Sequence, residues 1–154
     1  MSRHLPLAAL LLAAPVIAVG QAGHVTPFTG TWKLNLSKSS FEPGPAFRSF
    51  TLTFTPDGTR HLEVIGADGR ALEVSVPWSA GKEVPVTATG GMEGATATSS
   101  IRGRKFHDTW RQNGLVIEEV HGVVSADGLV LTIDVDGTDS QGRSFHNRLA
   151  FDRG

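Results

Sequence analysis

The chain has 154 residues, of which 40% are hydrophobic and 19% are charged, and it contains no cysteine. This composition is typical of one globular domain and excludes a collagen, a coiled coil and a disordered tail. The formal charge of −1 provides no long-range field that would attract nucleic acid or an anionic membrane surface. We therefore expect no nucleic-acid partner.

Residues 1–22 have the pattern of a secretory signal peptide, with a short polar start and a following apolar run. The apolar run, residues 5–19, is shorter than the about 20 residues that a transmembrane helix needs. Three small residues are candidate cleavage positions: Ala18, Gly20 and Ala22. We predict a mature domain over residues 23–154 that is exported, periplasmic or secreted, and has no membrane span. The alternative is an uncleaved membrane anchor.

From residue 26 onward, short runs rich in Thr, Val, Ile, Leu and Phe are separated by Asp-Gly, Asn-Gly or Gln-Gly turns. The chain has no room for the helical crossovers that parallel strands need, so the strands are expected to be antiparallel. The predicted strands are about 30–36, 47–55, 59–65, 70–77, 83–88, 95–102, 105–111, 115–123, 129–136 and 143–151. The fold class is therefore all-β: an up-and-down barrel of about 8–10 strands, or alternatively a two-sheet β-sandwich.

Alternation along these runs separates an inner face from an outer face. In the second run, Phe50, Leu52 and Phe54 fall on one side and the threonines on the other. Three further inward rows follow the same rule: Leu72, Val74, Val76 with Trp78; Leu129, Leu131, Ile133 with Val135; and Phe145, Leu149 with Phe151. A barrel built this way begins to have room for a small ligand.

Two segments have a different composition. Residues 37–47 contain Pro43 and Pro45, which cannot donate to a central ladder, so this segment is predicted to be a loop that crosses one end of the barrel. Residues 78–94 are rich in glycine, and only residues 83–89 are expected to pair. A lid or rim would lie there.

The first predicted strand, FTGTWKLNL, contains Gly30 and Trp32 in a GxW pattern. Here the sequence resembles the calycin barrels, which include the lipocalins and the fatty-acid-binding proteins. The resemblance implies that Gly30 and Trp32 are structural and that Trp32 plugs the closed end. The stretches GTWKLNLSKSSFEPGPA and SADGLVLTIDVDGTDSQGR, with the closing Phe-Asp-Arg, resemble a family of small exported bacterial lipocalin-like barrels of unassigned function. This second resemblance covers most of the mature chain.

The chain also departs from the families that it resembles. Fatty-acid-binding proteins have a helical lid where this chain has its proline-rich loop, and their Arg-x-Tyr motif is not matched by Arg148, Leu149 and Ala150. The disulfide and the longer first loop of many lipocalins are missing as well. The resemblance therefore implies a barrel with a pocket, without indicating what the pocket binds.

Patterns of metal and catalytic sites are absent from the sequence. The histidines do not have H-E-x-x-H spacing, and no serine lies in a G-x-S-x-G elbow. Asp134, Asp136 and Asp139 fit a hairpin turn better than a calcium loop. We therefore expect no metal, no cofactor and no enzymatic activity.

Polar residues on apolar faces indicate the candidate binding site. Asp108 lies between Phe106 and Trp110 at a period of two, and Asn147 and Glu119 also fall on inward rows. A buried charge must be paired, change its pKa or face a wet cavity. The predicted ligand-binding residues are Arg70, Trp78, Phe106, Asp108, Trp110, Glu119 and Asn147.

Together these features predict a monomeric, non-catalytic barrel that binds a small hydrophobic or amphipathic molecule. Arg70, which precedes an inward row, would neutralise one of the buried acids. A bulge could instead reverse the assigned face. The alternative function is a structural or interaction module whose barrel is filled with side chains and contacts another envelope or secreted protein. An enzyme that uses Asp108 or Glu119 as a general base ranks third.

Overall fold

The computed structural model describes residues 26–78 and 80–154, and the strands in this part of the chain pair antiparallel. They are β1 (Gly30–Leu34), β2 (Ser40–Glu42), β3 (Ser49–Phe54), β4 (Thr59–Ile65), β5 (Ala71–Pro77), β6 (Glu83–Pro85), β7 (Thr87–Thr89), β8 (Thr96–Arg102), β9 (Lys105–Gln112), β10 (Leu115–Val124), β11 (Val130–Thr138) and β12 (Ser144–Arg153). A 3-10 turn, Leu36–Lys38, separates β1 from β2. The predicted signal peptide lies outside the described residues.

The strands form one sheet in the order β6-β8-β9-β10-β11-β12-β1-β3-β4-β5-β7, with β2 also paired to β12. The two ends of this order belong to one short segment, because β6 pairs with β8 and β7 pairs with β5. Between β6 and β7, Val86 donates its backbone N–H to the carbonyl of Ala95 at 3.0 Å. The segment therefore changes partners halfway along and nearly closes the barrel, which leaves little exposed sheet edge. The predicted all-β barrel is confirmed and the sandwich alternative is wrong, although the described residues form twelve strands instead of the predicted eight to ten.

The predicted loop over residues 37–47 was wrong in one detail, because it contains strand β2. Strand β12 has ten residues, and β1 pairs only with the end of it, opposite Phe151 to Arg153. The earlier part of β12 has backbone N–H and C=O groups that β1 does not reach. Strand β2 pairs with this part of β12, from His146 to Arg148. Strand β2 ends where Pro43 begins, since proline has no N–H to donate.

The predicted inward rows form the core of the barrel. Leu52, Val74, Leu131 and Leu149 are all buried, as alternation predicted. Leu129 is an exception, because it lies in the turn before β11 and is exposed. A period-two pattern cannot locate the residue at which a strand begins.

An aromatic cluster closes one end of the barrel. Phe28 packs edge-on against Phe106, with ring centres 5.3 Å apart, and the buried indole of Trp32 donates to the carbonyl of Phe28 at 2.8 Å. The guanidinium of Arg153 lies 4.1 Å from the centre of the Trp32 ring. Gly30 has a φ of +128°, and an added Cβ would lie 2.8 Å from this guanidinium. Gly30 and Trp32 thus both pack against neighbouring groups at this end of the barrel.

Candidate ligand-binding site

A cavity of about 480 Å³ lies inside the barrel, on the open side of the aromatic cluster. Inward side chains of β3, β4, β9, β11 and β12 supply most of its apolar wall; examples are Phe50, Leu62, Trp110, Ile133 and Leu149. Sites for small molecules commonly have volumes of about 300–1,000 Å³ and mostly apolar walls with a few polar groups. The cavity therefore has the size and lining of a small-molecule site.

Three loops surround the mouth of this cavity. The proline-rich segment between β2 and β3 contributes Pro43 and Pro45, and the segment between β7 and β8 contributes Met92. The turn between β11 and β12 contributes Asp139 and Arg143, which form an ion pair at 2.8 Å. The proline-rich segment thus lies at one end of the barrel, where the sequence predicted a crossing loop.

A buried ion pair forms the polar part of the wall. Arg60 of β4 donates to Oδ2 of Asp108 on β9, and the two side chains are only 3% and 1% exposed. The second guanidinium nitrogen, Nη2, donates to the hydroxyl of Ser99 at 2.8 Å. The guanidinium also lies 4.2 Å from the ring centre of Trp78 and 5.8 Å from that of Trp110. These cation–π contacts partly replace the water that the cation has lost.

The ion pair leaves two buried polar atoms unsatisfied within the described part of the chain. They are Nε of Arg60, which is a donor, and Oδ1 of Asp108, which is an acceptor. An unsatisfied buried polar group costs about 1–3 kcal/mol, so native proteins rarely keep one without a function. Both residues line the cavity, which makes these two atoms candidate contacts for a polar group of a ligand.

Glu118 is the second acid on the cavity wall, and its position depends on a β-bulge. The register between β10 and β9 shifts between Val116 and Glu118, which turns Glu118 into the cavity opposite Trp110. Burial, and after it the nearby charge of Asp108, raise the pKa of Glu118 from its usual 4.5 to about 7. Glu118 therefore changes its charge near neutral pH.

Glu119 was predicted to face the cavity, and this orientation is wrong. Its carboxylate lies on the outer face, 2.6 Å from Nε2 of His107, and it accepts a hydrogen bond from Thr109 at 3.0 Å. The prediction continued strict alternation through β10, whereas the bulge displaces the inward position by one residue.

Arg70 was predicted to neutralise a buried acid, and this placement is also wrong. Arg70 lies in the turn that joins β4 to β5, where its exposed Nε is 3.4 Å from Asp68. The inward row of β5 is buried only from Val74 onward, so a residue at its start reaches solvent. Arg60 supplies the buried cation instead.

The other predicted residues lie in or beside the cavity. Phe106, Asp108, Trp110 and Asn147 line it. Trp78 lies behind the wall, stacked on Phe54 at 5.2 Å and covering the guanidinium of Arg60. Their role as ligand contacts stays a prediction.

Three further residues of the site, Arg60, Ser99 and Glu118, were not predicted from the sequence. Arg60 precedes Leu62 and Val64 at a period of two, so the alternation of β4 contained a signal for an inward arginine. Ser99 is two residues after the buried Ala97 and has a similar signal. Glu118 had none, because a bulge cannot be located by alternation.

Within residues 26–78 and 80–154, no group of three His, Cys, Asp or Glu side chains is placed to hold a metal ion. The hairpin turn that was predicted to explain Asp134, Asp136 and Asp139 contains only Asp139, which accepts from the backbone of Gln141 and Arg143. Asp134 and Asp136 lie in β11, because this strand continues to Thr138. Over the same residues, no helix has the length and apolar character that crossing a membrane requires.

Comparison with known proteins identifies the fold. No protein-family model and no curated protein matches the sequence. The barrel is similar to the crystal structure of the wild-type fluorescent protein UnaG, with a TM-score of 0.53, 13% identity, and coverage of 83% of this chain and 98% of that chain. A point mutant of UnaG gives the same TM-score, 14% identity, and coverage of 83% and 96%. The chain therefore has the antiparallel barrel fold of the lipocalin and fatty-acid-binding type.

Proposed function

We propose that this protein is a non-catalytic binding protein that holds a small, largely apolar molecule with one polar group inside its barrel. The observation that carries the proposal is the cavity of about 480 Å³, whose apolar wall contains the Arg60–Asp108 ion pair with its two unsatisfied atoms. Apolar surface would supply most of the affinity, and the polar atoms would fix the orientation of the ligand. The barrel fold shared with UnaG is consistent with this function.

The open interior argues against the alternative, a barrel filled with side chains that acts only as an interaction module. Protein interiors pack as tightly as organic crystals and seldom keep voids much larger than a water molecule. An open space of about 480 Å³ lowers stability, because its walls lack contact partners. Such a space is easier to explain if a ligand fills it.

The composition of the wall supports a non-catalytic role. Asp108 is held in its ion pair with Arg60, and so it is a poor general base. Glu118 has a pKa suited to proton transfer, yet the described residues that line the cavity include no hydroxyl, thiol or imidazole group. A lone carboxyl without a nucleophile or a second proton carrier is weak support for an enzyme.

Native mass spectrometry of the protein purified from an exporting host, before and after denaturation, tests this proposal. We expect a monomer with an additional small mass that denaturation removes. Binding of the neutral dye Nile red, followed by fluorescence, gives a second readout for protein that has lost its ligand. A protein that carries no extra mass and binds neither the dye nor any alkyl amphiphile would contradict the proposal.

A matched pair of variants on β10 locates the binding site. Val120 lines the cavity, whereas Val123 lies on the outer surface of the same strand. Val120→Trp should fill the cavity and abolish dye binding, and Val123→Trp should leave it unchanged. Thermal unfolding of both variants verifies that they fold. Dye binding that survives Val120→Trp in a folded protein would place the site elsewhere.

We also propose that the protein is exported and that residues 1–22 are removed. The apolar run and the small residues that follow it support this proposal. Expression in a host with an export pathway, followed by mass measurement of the protein outside the inner membrane, should give a chain that begins at residue 19, 21 or 23. A full-length chain retained in the membrane fraction would favour the anchor instead.

A further inference from the structure

The positive and negative charges of the side chains that line the cavity are unequal in number. Arg60 and Asp108 compensate each other in the wall, and Asp139 and Arg143 compensate each other at the mouth. Glu118 is the fifth charged residue of the lining, and it forms no ion pair with any residue that the structure describes. The cavity therefore has one uncompensated negative charge whenever Glu118 is ionised.

Arg60 is poorly placed to bind a negatively charged ligand. Its two terminal nitrogens are committed to Asp108 and Ser99, and its guanidinium lies close to the rings of Trp78 and Trp110. Nε has no hydrogen-bond partner among the described residues. A ligand carboxylate that replaced Asp108 as the partner of Arg60 would leave Asp108 buried without its counter-ion.

The unused acceptors in the wall favour the opposite kind of ligand. Oδ1 of Asp108 has no hydrogen-bond partner among the described residues, although Asp108 is almost completely buried. Glu118 lies close enough to Asp108 for the charge of Asp108 to raise the pKa of Glu118. Two acidic groups on one wall, one with a spare acceptor and the other unpaired, can both be satisfied by a donor that carries positive charge.

We infer that the cavity selects an amphiphile with a cationic, hydrogen-bond-donating head, such as a primary alkylammonium, over a carboxylate with the same tail. This inference rests on the proposed binding function. The ammonium group would lie between Glu118 and Asp108, and the tail would contact apolar residues such as Leu149 and Ile133. Pairing with the ammonium group would reduce the repulsion between the two acids.

The preference depends on pH because Glu118 titrates near neutrality. The other charged groups that line the cavity are Asp108 from β9, Arg60 from β4, and Asp139 with Arg143 from the turn between β11 and β12, and the charge of Asp108 acts on Glu118 directly. Above pH 7 Glu118 is ionised and attracts the ammonium head. Below pH 7 it becomes neutral, and the attraction weakens. A primary amine and a carboxylate both keep their own charges between pH 6 and pH 8, because their usual pKa values are about 10.4 and about 4.3.

The test compares decylamine, decanoate and decanol, which share a ten-carbon tail, as competitors of Nile red at pH 6 and pH 8. At pH 8 we expect decylamine to bind about tenfold or more tightly than decanoate, with decanol between them. At pH 6 the difference should shrink several-fold. Decanoate that binds as tightly as decylamine at pH 8 would overturn the inference and leave the binding function intact. Failure of all three ligands and of the dye would overturn the proposed function itself.

Two neighbouring variants separate Glu118 from a general surface-charge effect. Glu118→Gln removes the charge inside the cavity, and Glu119→Gln removes the same charge on the outer face. Glu118→Gln should abolish most of the preference for decylamine and its dependence on pH, whereas Glu119→Gln should keep both. A preference that survives Glu118→Gln would overturn the role of Glu118. If Glu118→Gln does not fold, the pH dependence in the unmodified protein still decides the inference.

Discussion

Glu118 and Glu119 are adjacent in the chain, yet one carboxyl group faces the cavity near Asp108 and the other accepts hydrogen bonds outside the barrel, at His107 and Thr109. The bulge between Val116 and Glu118 decides which of the two acids is enclosed. The enclosed acid loses water and lies near a second acid, while the outer acid keeps solvent and gains polar partners. The same residue type therefore has different chemistry at two consecutive positions.

Replacing Glu118 with Gln should change how stability depends on pH. The folded protein holds the pKa of Glu118 at about 7, whereas an unfolded chain returns it to about 4.5. As pH rises from 4.5 to 7, the unfolded chain releases this proton first, so the native protein loses stability over that range. Glu118→Gln removes this loss, and at pH 8 it should raise the free energy of unfolding by up to about 3 kcal/mol. Urea unfolding at pH 5 and pH 8 measures the difference.

Glu119→Gln is the control for this prediction, because its site is partly exposed and bonded to His107. Its unfolding free energy should follow that of the unmodified protein at both pH values. An equal stabilisation at pH 5 and pH 8 in Glu118→Gln would show that titration of this side chain is not the cause.

The Arg60–Asp108 ion pair should show strong coupling in a double-mutant cycle. Asp108→Ala leaves the guanidinium of Arg60 buried without its counter-ion, which typically costs about 3–5 kcal/mol. The double variant Arg60→Met with Asp108→Ala removes both charges and should lose less stability than Asp108→Ala alone. Unfolding free energies of both single variants and of the double variant give the coupling energy. Additive losses of unfolding free energy in the two single variants would mean that the two charges do not stabilise each other.

Gly122 is predicted to tolerate no side chain, because the ring of Phe106 lies directly over it. A Cβ at this position would be 1.9 Å from Cε1 of Phe106. Gly122→Ala must push Phe106 away from the rings of Phe28 and Trp78 that contact it, and overpacking of this kind typically costs about 1–3 kcal/mol. Chemical denaturation measures the loss. Val123→Ala, on the outer surface next to it, should change stability by less than about 0.5 kcal/mol.

Arg153→Lys should loosen the closed end of the barrel although it keeps the charge. Arg153 donates to the carbonyls of Pro27, Thr29 and Gly128 at 2.7–2.8 Å, and it stacks on Trp32. A lysine cannot reproduce the planar fork that reaches these carbonyls. We expect a loss of about 2 kcal/mol or more in unfolding free energy, since hydrogen bonds from charged groups contribute about 1.5–3 kcal/mol each. A lysine variant as stable as the unmodified protein would refute this role for the guanidinium.

Much of the barrel could be predicted from the sequence because its signals are local. Alternation assigned Leu52, Val74, Ile133 and Leu149 to the interior, and glycine-containing turns separated the strands. The same alternation placed Asp108 and Asn147 on the inner face, where both line the cavity. In these regular strands the face on which each side chain lies follows from the positions of its neighbours, so alternation was sufficient to assign the inner face.

The candidate site was harder to predict because it depends on contacts between distant segments. Arg60 and Asp108 are 48 positions apart in the chain, and no local pattern indicates that they form a pair. Arg70 was the arginine predicted to neutralise a buried acid, but the turn between β4 and β5 places it in solvent. The choice between two arginines was made by the register between strands.

The sequence by itself determined an antiparallel β-barrel, its inward rows and the presence of acids among them, because turn chemistry and a period of two depend only on neighbouring residues. The tertiary structure decided how the barrel closes at Val86, which acid enters the cavity and which cation compensates Asp108. These outcomes depend on a bulge and on pairing between remote strands. Burial of the enclosed charges then sets the chemistry of the cavity.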